Sequence, residues 1–97
     1  MEPAMFVKGT KKRRGKDEEL GDFLGRLSHL LLKGKGIKVI ENLEHCKRVQ
    51  VLYLYDNMIE RIAGLEVLSR SLTQLYLQNN AIQKMEGLHH LPRLTKP

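Results

Sequence analysis

The side chains that could carry out catalysis or bind a metal in this sequence are four histidines and one cysteine, and their spacing does not form a site. The histidines are His29, His45, His89 and His90. Their sequence spacing from Cys46 and from the carboxylates matches neither a metal site nor an activated nucleophile. The chain also has no glycine-rich phosphate loop and no G-x-S-x-G motif. We therefore expect no enzyme activity, no metal and no cofactor.

Three tyrosines are better suited to chemistry of another kind, the binding of a protein. They occur in 51-VLYLYDN-57 and 74-QLYLQNN-80, which share Leu-Tyr-Leu and a closing asparagine. If each stretch is a strand, its leucines point to one face and its tyrosines to the other. Tyr53 and Tyr76 would then be neighbours about 5 Å apart on adjacent strands. Exposed tyrosines suit interfaces, but the two rings could equally pack on each other as a cross-strand pair, and both readings stay open.

The elements that position these tyrosines belong to a longer apolar pattern. Copies begin at Leu27, Val49 and Leu72 and an incomplete one at Leu94, so the period is 22, 23 and then 22 residues. The later copies read L/V-x-x-L-x-L-x-x-N-x-I-x-x-I/M-x-x-L-x-x-L, which is typical of a leucine-rich repeat of the short 22-residue form. We predict an α/β solenoid with a short parallel sheet on the concave face and 3₁₀ or irregular turns on the convex face.

The asparagines that close each strand are expected to be structural. The side-chain amides of Asn57 and Asn80 can both donate to and accept from unpaired backbone groups, forming a ladder from copy to copy. The first copy has Lys35 at this position. Cys46 takes the core position that Leu68 and Leu91 take in the later copies, which predicts a buried thiol.

The outward residues of the three strands define a predicted protein-binding row on the concave face. The row consists of His29, Leu31, Lys33, Val51, Tyr53, Tyr55, Asp56, Gln74, Tyr76, Gln78 and Asn79.

The net charge of +6 comes partly from residues 8–16, which contain no acid and hold Lys8, Lys11, Lys12, Arg13, Arg14 and Lys16. Asp17, Glu18 and Glu19 follow at once. We predict a disordered basic tail over residues 1–19. The alternatives are a nuclear-import signal or a patch for an acidic surface such as tubulin. We expect no nucleic-acid partner, because aromatic residues that stack on bases are missing from the basic run. Residues 20–97 would form the repeat domain, with residues 20–26 as a helical cap that uses Leu20, Phe23 and Leu24.

Neither a signal peptide nor a stretch of about 20 apolar residues is present, so we expect a cytoplasmic protein without a membrane partner or a small-molecule substrate. The copy that opens at Leu94 stops at Pro97. The expectation is either a fragment of a longer repeat protein or a sheet edge that a partner covers at residues 91–97.

The span from Leu27 to Leu94 resembles the 22-residue leucine-rich repeats of phosphatase-1 regulators and their ciliary relatives, including dynein-arm assembly factors. The resemblance is carried by 27-LSHLLLKGKGIKVIENLEHCKRVQVLYLYDN-57 and 75-LYLQNN-80. It implies a non-catalytic scaffold that binds the protein phosphatase 1 catalytic subunit or tubulin-associated proteins at the cytoskeleton, in the centrosome, basal body, cilium or flagellum. The alternative is a structural component of an axoneme completed by edge pairing. Two features depart from the family, the small number of repeats and 48-RVQV-51, which has Val51 where the phosphatase-docking motif has Phe.

Overall fold

The computed structural model describes residues 1–84, 86–88 and 91–95, and these form an α/β fold built on a three-stranded parallel sheet. Two short helices come first, α1 (Pro3–Lys8) and α2 (Leu20–Gly25). The strands are β1 (His29–Leu31), β2 (Val51–Tyr53) and β3 (Gln74–Tyr76), with a 3₁₀ turn at Glu66–Leu68 before β3. Outside the described residues lie His89 and His90, the end of the predicted edge at residues 96–97, and Met85, which takes the I/M position of the copy that begins at Leu72.

The strands pair in the order β1-β2-β3 with equivalent residues side by side. Leu30, Leu52 and Leu75 are register partners, and each is buried, whereas Leu31, Tyr53 and Tyr76 align at the next position. Because successive residues of a strand point to opposite faces, this register collects leucines on the core side and tyrosines on the other side.

Backbone hydrogen bonds extend this alignment before the strands. The Gln50 amide donates to the Ser28 carbonyl at 2.7 Å, and the Thr73 amide donates to the Gln50 carbonyl at 2.8 Å. The Thr95 amide donates to the Thr73 carbonyl at 2.9 Å, and the Thr95 hydroxyl donates to the same oxygen at 3.0 Å. The segment around Leu94 therefore enters the same hydrogen-bond pattern one step beyond β3.

An apolar core lies under the sheet, and the leucine that follows β3 is less buried than those that follow β1 and β2. Leu32 and Leu54, which follow β1 and β2, are fully buried, whereas Leu77, which follows β3, is half-buried. Cys46 is fully buried in this core, as its position in the apolar pattern predicts. Burial, with a smaller contribution from the Glu44 carboxylate, raises the pKa of its thiol to about 11, so the thiol is un-ionised near neutral pH.

The return segments use left-handed backbone at corresponding places. Gly64 has a φ of 76°, and a Cβ atom at this position would collide with the carbonyl oxygen of Ile40. Gly87 has a φ of 86° and approaches the Ile62 carbonyl in the same way. Glycine at these two positions allows successive turns to approach each other closely.

The expectation of a disordered tail is wrong for the start of the chain. Phe6 in α1 is fully buried in the core, and the Leu31 amide of β1 donates to the Gly9 carbonyl at 2.7 Å. The N-terminal ammonium group lies 2.9 Å from the Glu41 carboxylate. The physical reason is that Met5, Phe6 and Val7 precede the basic run and supply apolar surface that the charge pattern alone conceals.

Residues 10–19 are also attached to the rest of the molecule. The Arg26 guanidinium donates to both carboxylate oxygens of Glu18, at 2.8 and 2.9 Å, and the Gly15 amide donates to the same carboxylate at 2.9 Å. The Arg26 hydrogen bond, followed by that from Gly15, lowers the pKa of Glu18 to about 2. Glu18 precedes α2 and Arg26 follows it, so the pair joins the two ends of this helix, which buries Phe23 and Leu24 and lies within residues 20–26.

Candidate protein-binding face

The tyrosines form an ordered aromatic surface on the side of the sheet opposite the core. The rings of Tyr53 and Tyr76 stack with their centroids 5.0 Å apart and their planes 6° from parallel. Tyr55 meets Tyr53 edge to face at 6.5 Å, and the Lys33 ammonium lies 5.8 Å from the Tyr55 centroid. We call these three tyrosines with Lys33 the tyrosine face. All three side chains are half-buried, so the part of each ring that its neighbours leave uncovered is available for contact.

Polar contacts hold the surroundings of the tyrosine face in place. The Tyr76 hydroxyl donates to the Gln74 side-chain carbonyl at 3.1 Å. The Asn79 side-chain amide donates to the Asp56 carboxylate at 2.9 Å, and the Asp56 backbone amide donates to the Gln78 carbonyl at 3.0 Å. These bonds reduce the number of side-chain conformations that a partner would have to fix on binding.

The residues of the predicted row differ in exposure between β1 and the central strand. His29 is exposed and its ring nitrogen Nδ1 lies 2.9 Å from the Ser28 hydroxyl, while Leu31 is 42% exposed. Val51 departs from the prediction, because it is only 7% exposed and offers little surface. It sits on the central strand between His29 and Gln74 in register, whose longer side chains flank it on both sides.

Beneath the tyrosine face, asparagine side chains tie neighbouring segments together. Asn57 accepts hydrogen bonds from the backbone amides of Lys35 and Ile37, and its amide group donates to the carbonyls of Leu32, Leu54 and Tyr55. Asn80 accepts from the Ile59 amide and donates to the carbonyls of Leu54, Leu77 and Gln78. These asparagines serve the backbone, which leaves the tyrosines as the side chains free to meet a partner.

A groove that sequence reasoning missed runs beside the tyrosine face. It has a volume of about 560 Å³ and lies between residues 8–12 and the outer side of β1 and β2. We call it the basic groove. Its lining residues are Lys8, Gly9, Thr10, Lys11, Lys12, Ser28, His29, Leu31, Tyr53 and Tyr55. The sequence signal that could have found it is Phe6, a large apolar residue just before the lysines and out of place in a disordered tail.

Groups suited to catalysis are not brought together in the described part of the chain. Among those residues no three of the histidine, cysteine, aspartate and glutamate side chains cluster as a metal site would require. His45 packs beside α2, where a Cβ at Gly21 would lie 3.2 Å from its ring nitrogen Nδ1. Within the same residues no helix has the length and apolar character needed to cross a membrane.

No protein-family model matches this chain. Any family assignment therefore depends on the residues and geometry described above.

Proposed function

We propose that this chain is a leucine-rich-repeat interaction module, with no catalytic role of its own, that binds a protein partner through the tyrosine face. The observation that carries the proposal is the Tyr53 and Tyr76 stack, a rigid aromatic surface that is half-exposed and opposite the core. Rigid aromatic side chains bury a large area at low entropic cost and are enriched among residues that dominate binding energy.

Three regularities support a repeat architecture. The strands align residues 22 and 23 positions apart, and the left-handed backbone positions Gly34, Asp56 and Asn79 share that spacing. The asparagines after β2 and β3 bond to the preceding segment as the ladder hypothesis requires. A solenoid of this kind presents its sheet as a concave binding surface.

The resemblance to phosphatase-1 regulators and ciliary repeat proteins suggests the partner classes. We propose the protein phosphatase 1 catalytic subunit or a tubulin-associated protein of the centrosome or cilium as the partner, with the chain acting as a regulatory or scaffold subunit. The segment 48-RVQV-51 is a poor docking site because Val49 is fully buried and Val51 is 7% exposed. Contact with a phosphatase would therefore use the tyrosine face.

The test is affinity capture with matched variants of the full chain. Wild type, a Tyr53→Ala/Tyr76→Ala variant and a Val39→Ala/Met58→Ala control would be used to capture proteins from ciliated cells and to bind purified phosphatase catalytic subunit. Val39 and Met58 are exposed apolar residues outside the face, at 58% and 53%. We expect the tyrosine variant to bind its partners at least about tenfold more weakly than wild type, since residues that dominate an interface contribute about 2 kcal/mol or more to binding. If the tyrosine variant retained every captured protein, the proposal would be wrong.

A second candidate is a structural subunit that joins a larger complex by edge pairing. The observation that favours it is the Thr95 amide and hydroxyl on the Thr73 carbonyl, which extends the strand pattern past β3. In that case the tyrosine variant would behave as wild type, while replacing the half-buried Leu94 by Ser would release the partner.

A further inference from the structure

The basic groove owes its shape to a fixed contact between the N-terminal segment and β1. α1 ends at Lys8, and the next residue, Gly9, is buried and accepts a hydrogen bond from the Leu31 amide at 2.7 Å. A Cβ at Gly9 would lie 2.6 Å from the Leu31 carbonyl oxygen, so glycine permits this approach. The residues that follow Gly9 are therefore held beside the sheet as one wall of the groove.

That wall is positively charged and uncompensated. Lys8, Lys11 and Lys12 line the groove and are exposed, and no aspartate or glutamate is among its lining residues. The Lys12 ammonium donates to the Arg26 carbonyl at 3.0 Å, which leaves two of its three protons for another acceptor. The ion pairs found among the described residues, N-terminus with Glu41 and Arg26 with Glu18, use none of these lysines. The wall is complementary to a chain of carboxylates.

The opposite wall is apolar and aromatic. Leu31 is 42% exposed there, and Tyr53 and Tyr55 continue the surface. One face of the Tyr53 ring is covered by Tyr76 and the Lys33 ammonium lies over Tyr55, so the rings do not form the open series of platforms on which nucleic acid bases stack. An apolar side chain of a peptide fits this wall better than a nucleotide does.

We propose that the basic groove binds an acidic, extended peptide segment, with its carboxylates on Lys8, Lys11 and Lys12 and an apolar side chain against Leu31 and Tyr53. This proposal rests on the proposed function, because it gives the chemistry of the partner that the tyrosine face would meet. It also assigns a binding role and a position to three of the six basic residues between positions 8 and 16.

The experiment titrates the full chain with a synthetic peptide of about ten residues, long enough to span about 33 Å when extended. The peptide consists of glutamates around two leucines and contains no aromatic residue. Because the chain has three tyrosines and no tryptophan, its intrinsic fluorescence reports on the tyrosine face alone. A peptide with glutamine for every glutamate and a uridine decamer serve as comparison ligands.

Two protein variants separate the groove from general charge. The groove variant is Lys8→Gln/Lys11→Gln/Lys12→Gln, and the matched control is Lys38→Gln/Lys47→Gln/Lys84→Gln, which removes the same charge from exposed lysines outside the groove. We expect the acidic peptide to bind wild type and the control within about twofold of each other, and the groove variant at least about tenfold more weakly. Binding should weaken as NaCl rises from about 50 to about 300 mM.

The proposal is overturned if the acidic peptide does not bind wild type, if both triple variants weaken it equally, or if the glutamine peptide binds as well. Tighter binding of the uridine decamer would overturn it in favour of nucleic acid. These failures are distinguishable from failure of the proposed function. If the acidic peptide fails but the tyrosine variant still loses captured proteins, the face binds a partner of different chemistry.

Discussion

The two edges of the parallel sheet are completed in different ways, and the contrast explains what the N-terminal segment does. At the β1 edge, Phe6 is fully buried, Gly9 pairs with Leu31, and Leu32 is fully buried. At the β3 edge, Leu77 and Ile82 are half-buried, and no further strand follows β3 among the described residues. The N-terminal segment therefore covers the β1 edge in the way that a neighbouring strand would.

The largest expected effect comes from removing the cover at the β1 edge. Phe6→Ala should lower the free energy of unfolding by about 3 to 5 kcal/mol, because it leaves a cavity under α1. The matched change at the other edge, Leu77→Ala, should cost about 1 to 2 kcal/mol because that side chain is already half-exposed. Urea unfolding followed by circular dichroism measures both.

The milder variant Phe6→Leu keeps this comparison measurable if Phe6→Ala does not fold. If Phe6→Ala and Leu77→Ala lowered the free energy of unfolding equally, residues 1–9 would not cover the sheet edge.

The asparagine ladder offers a second comparison between the central layer and the β3 edge. Asn57 is 8% exposed, and its side-chain oxygen accepts hydrogen bonds from two backbone amides. Asn80 is half-buried, and its side-chain oxygen accepts a hydrogen bond from one. Asn57→Ala should cost about 3 kcal/mol and Asn80→Ala about 1 to 2 kcal/mol, since each buried backbone group left unpaired is costly. Urea unfolding of the two variants in parallel is the measurement, and an Asn80→Ala loss equal to or larger than the Asn57→Ala loss would contradict the graded burial.

The smallest effect concerns pH at the start of α2. The pKa of Glu18 is lowered to about 2, first by its hydrogen bond from Arg26, so its ionised form is favoured in the folded state. Its contribution is therefore present above the unfolded pKa of about 4.3 and is lost as pH falls toward about 2. The difference in unfolding midpoint between wild type and Glu18→Gln should shrink as pH is lowered from about 6 to about 2. A difference that stayed constant would show that ionisation of Glu18 does not contribute to stability.

The sequence predicts the sheet well and its surroundings less well, for a physical reason. Alternating leucine and tyrosine specify which face of a strand is buried, so the proximity of Tyr53 and Tyr76 follows from the spacing, whereas the pattern leaves open whether the two rings stack. The position of residues 1–9 cannot be predicted from the spacing, because it depends on one long-range contact, that of Phe6 with the core, and not on a periodic pattern. The burial of Val51 is not predicted, because the alternation of apolar and polar residues along a strand does not indicate how side chains of the flanking strands cover a short side chain.

The measurement that tests the central claim most directly is nitration of the tyrosines by tetranitromethane, followed by mass spectrometry, with and without a partner captured by the wild-type chain. Every tyrosine of the sequence lies on the tyrosine face, so the nitrated tyrosines of this chain in the mass spectrum report on that surface. We predict that the bound partner slows nitration of Tyr53 and Tyr76 by at least about tenfold, as expected for side chains buried at the centre of an interface. Unchanged nitration rates in a complex that remains intact would contradict the claim that this face is the binding surface.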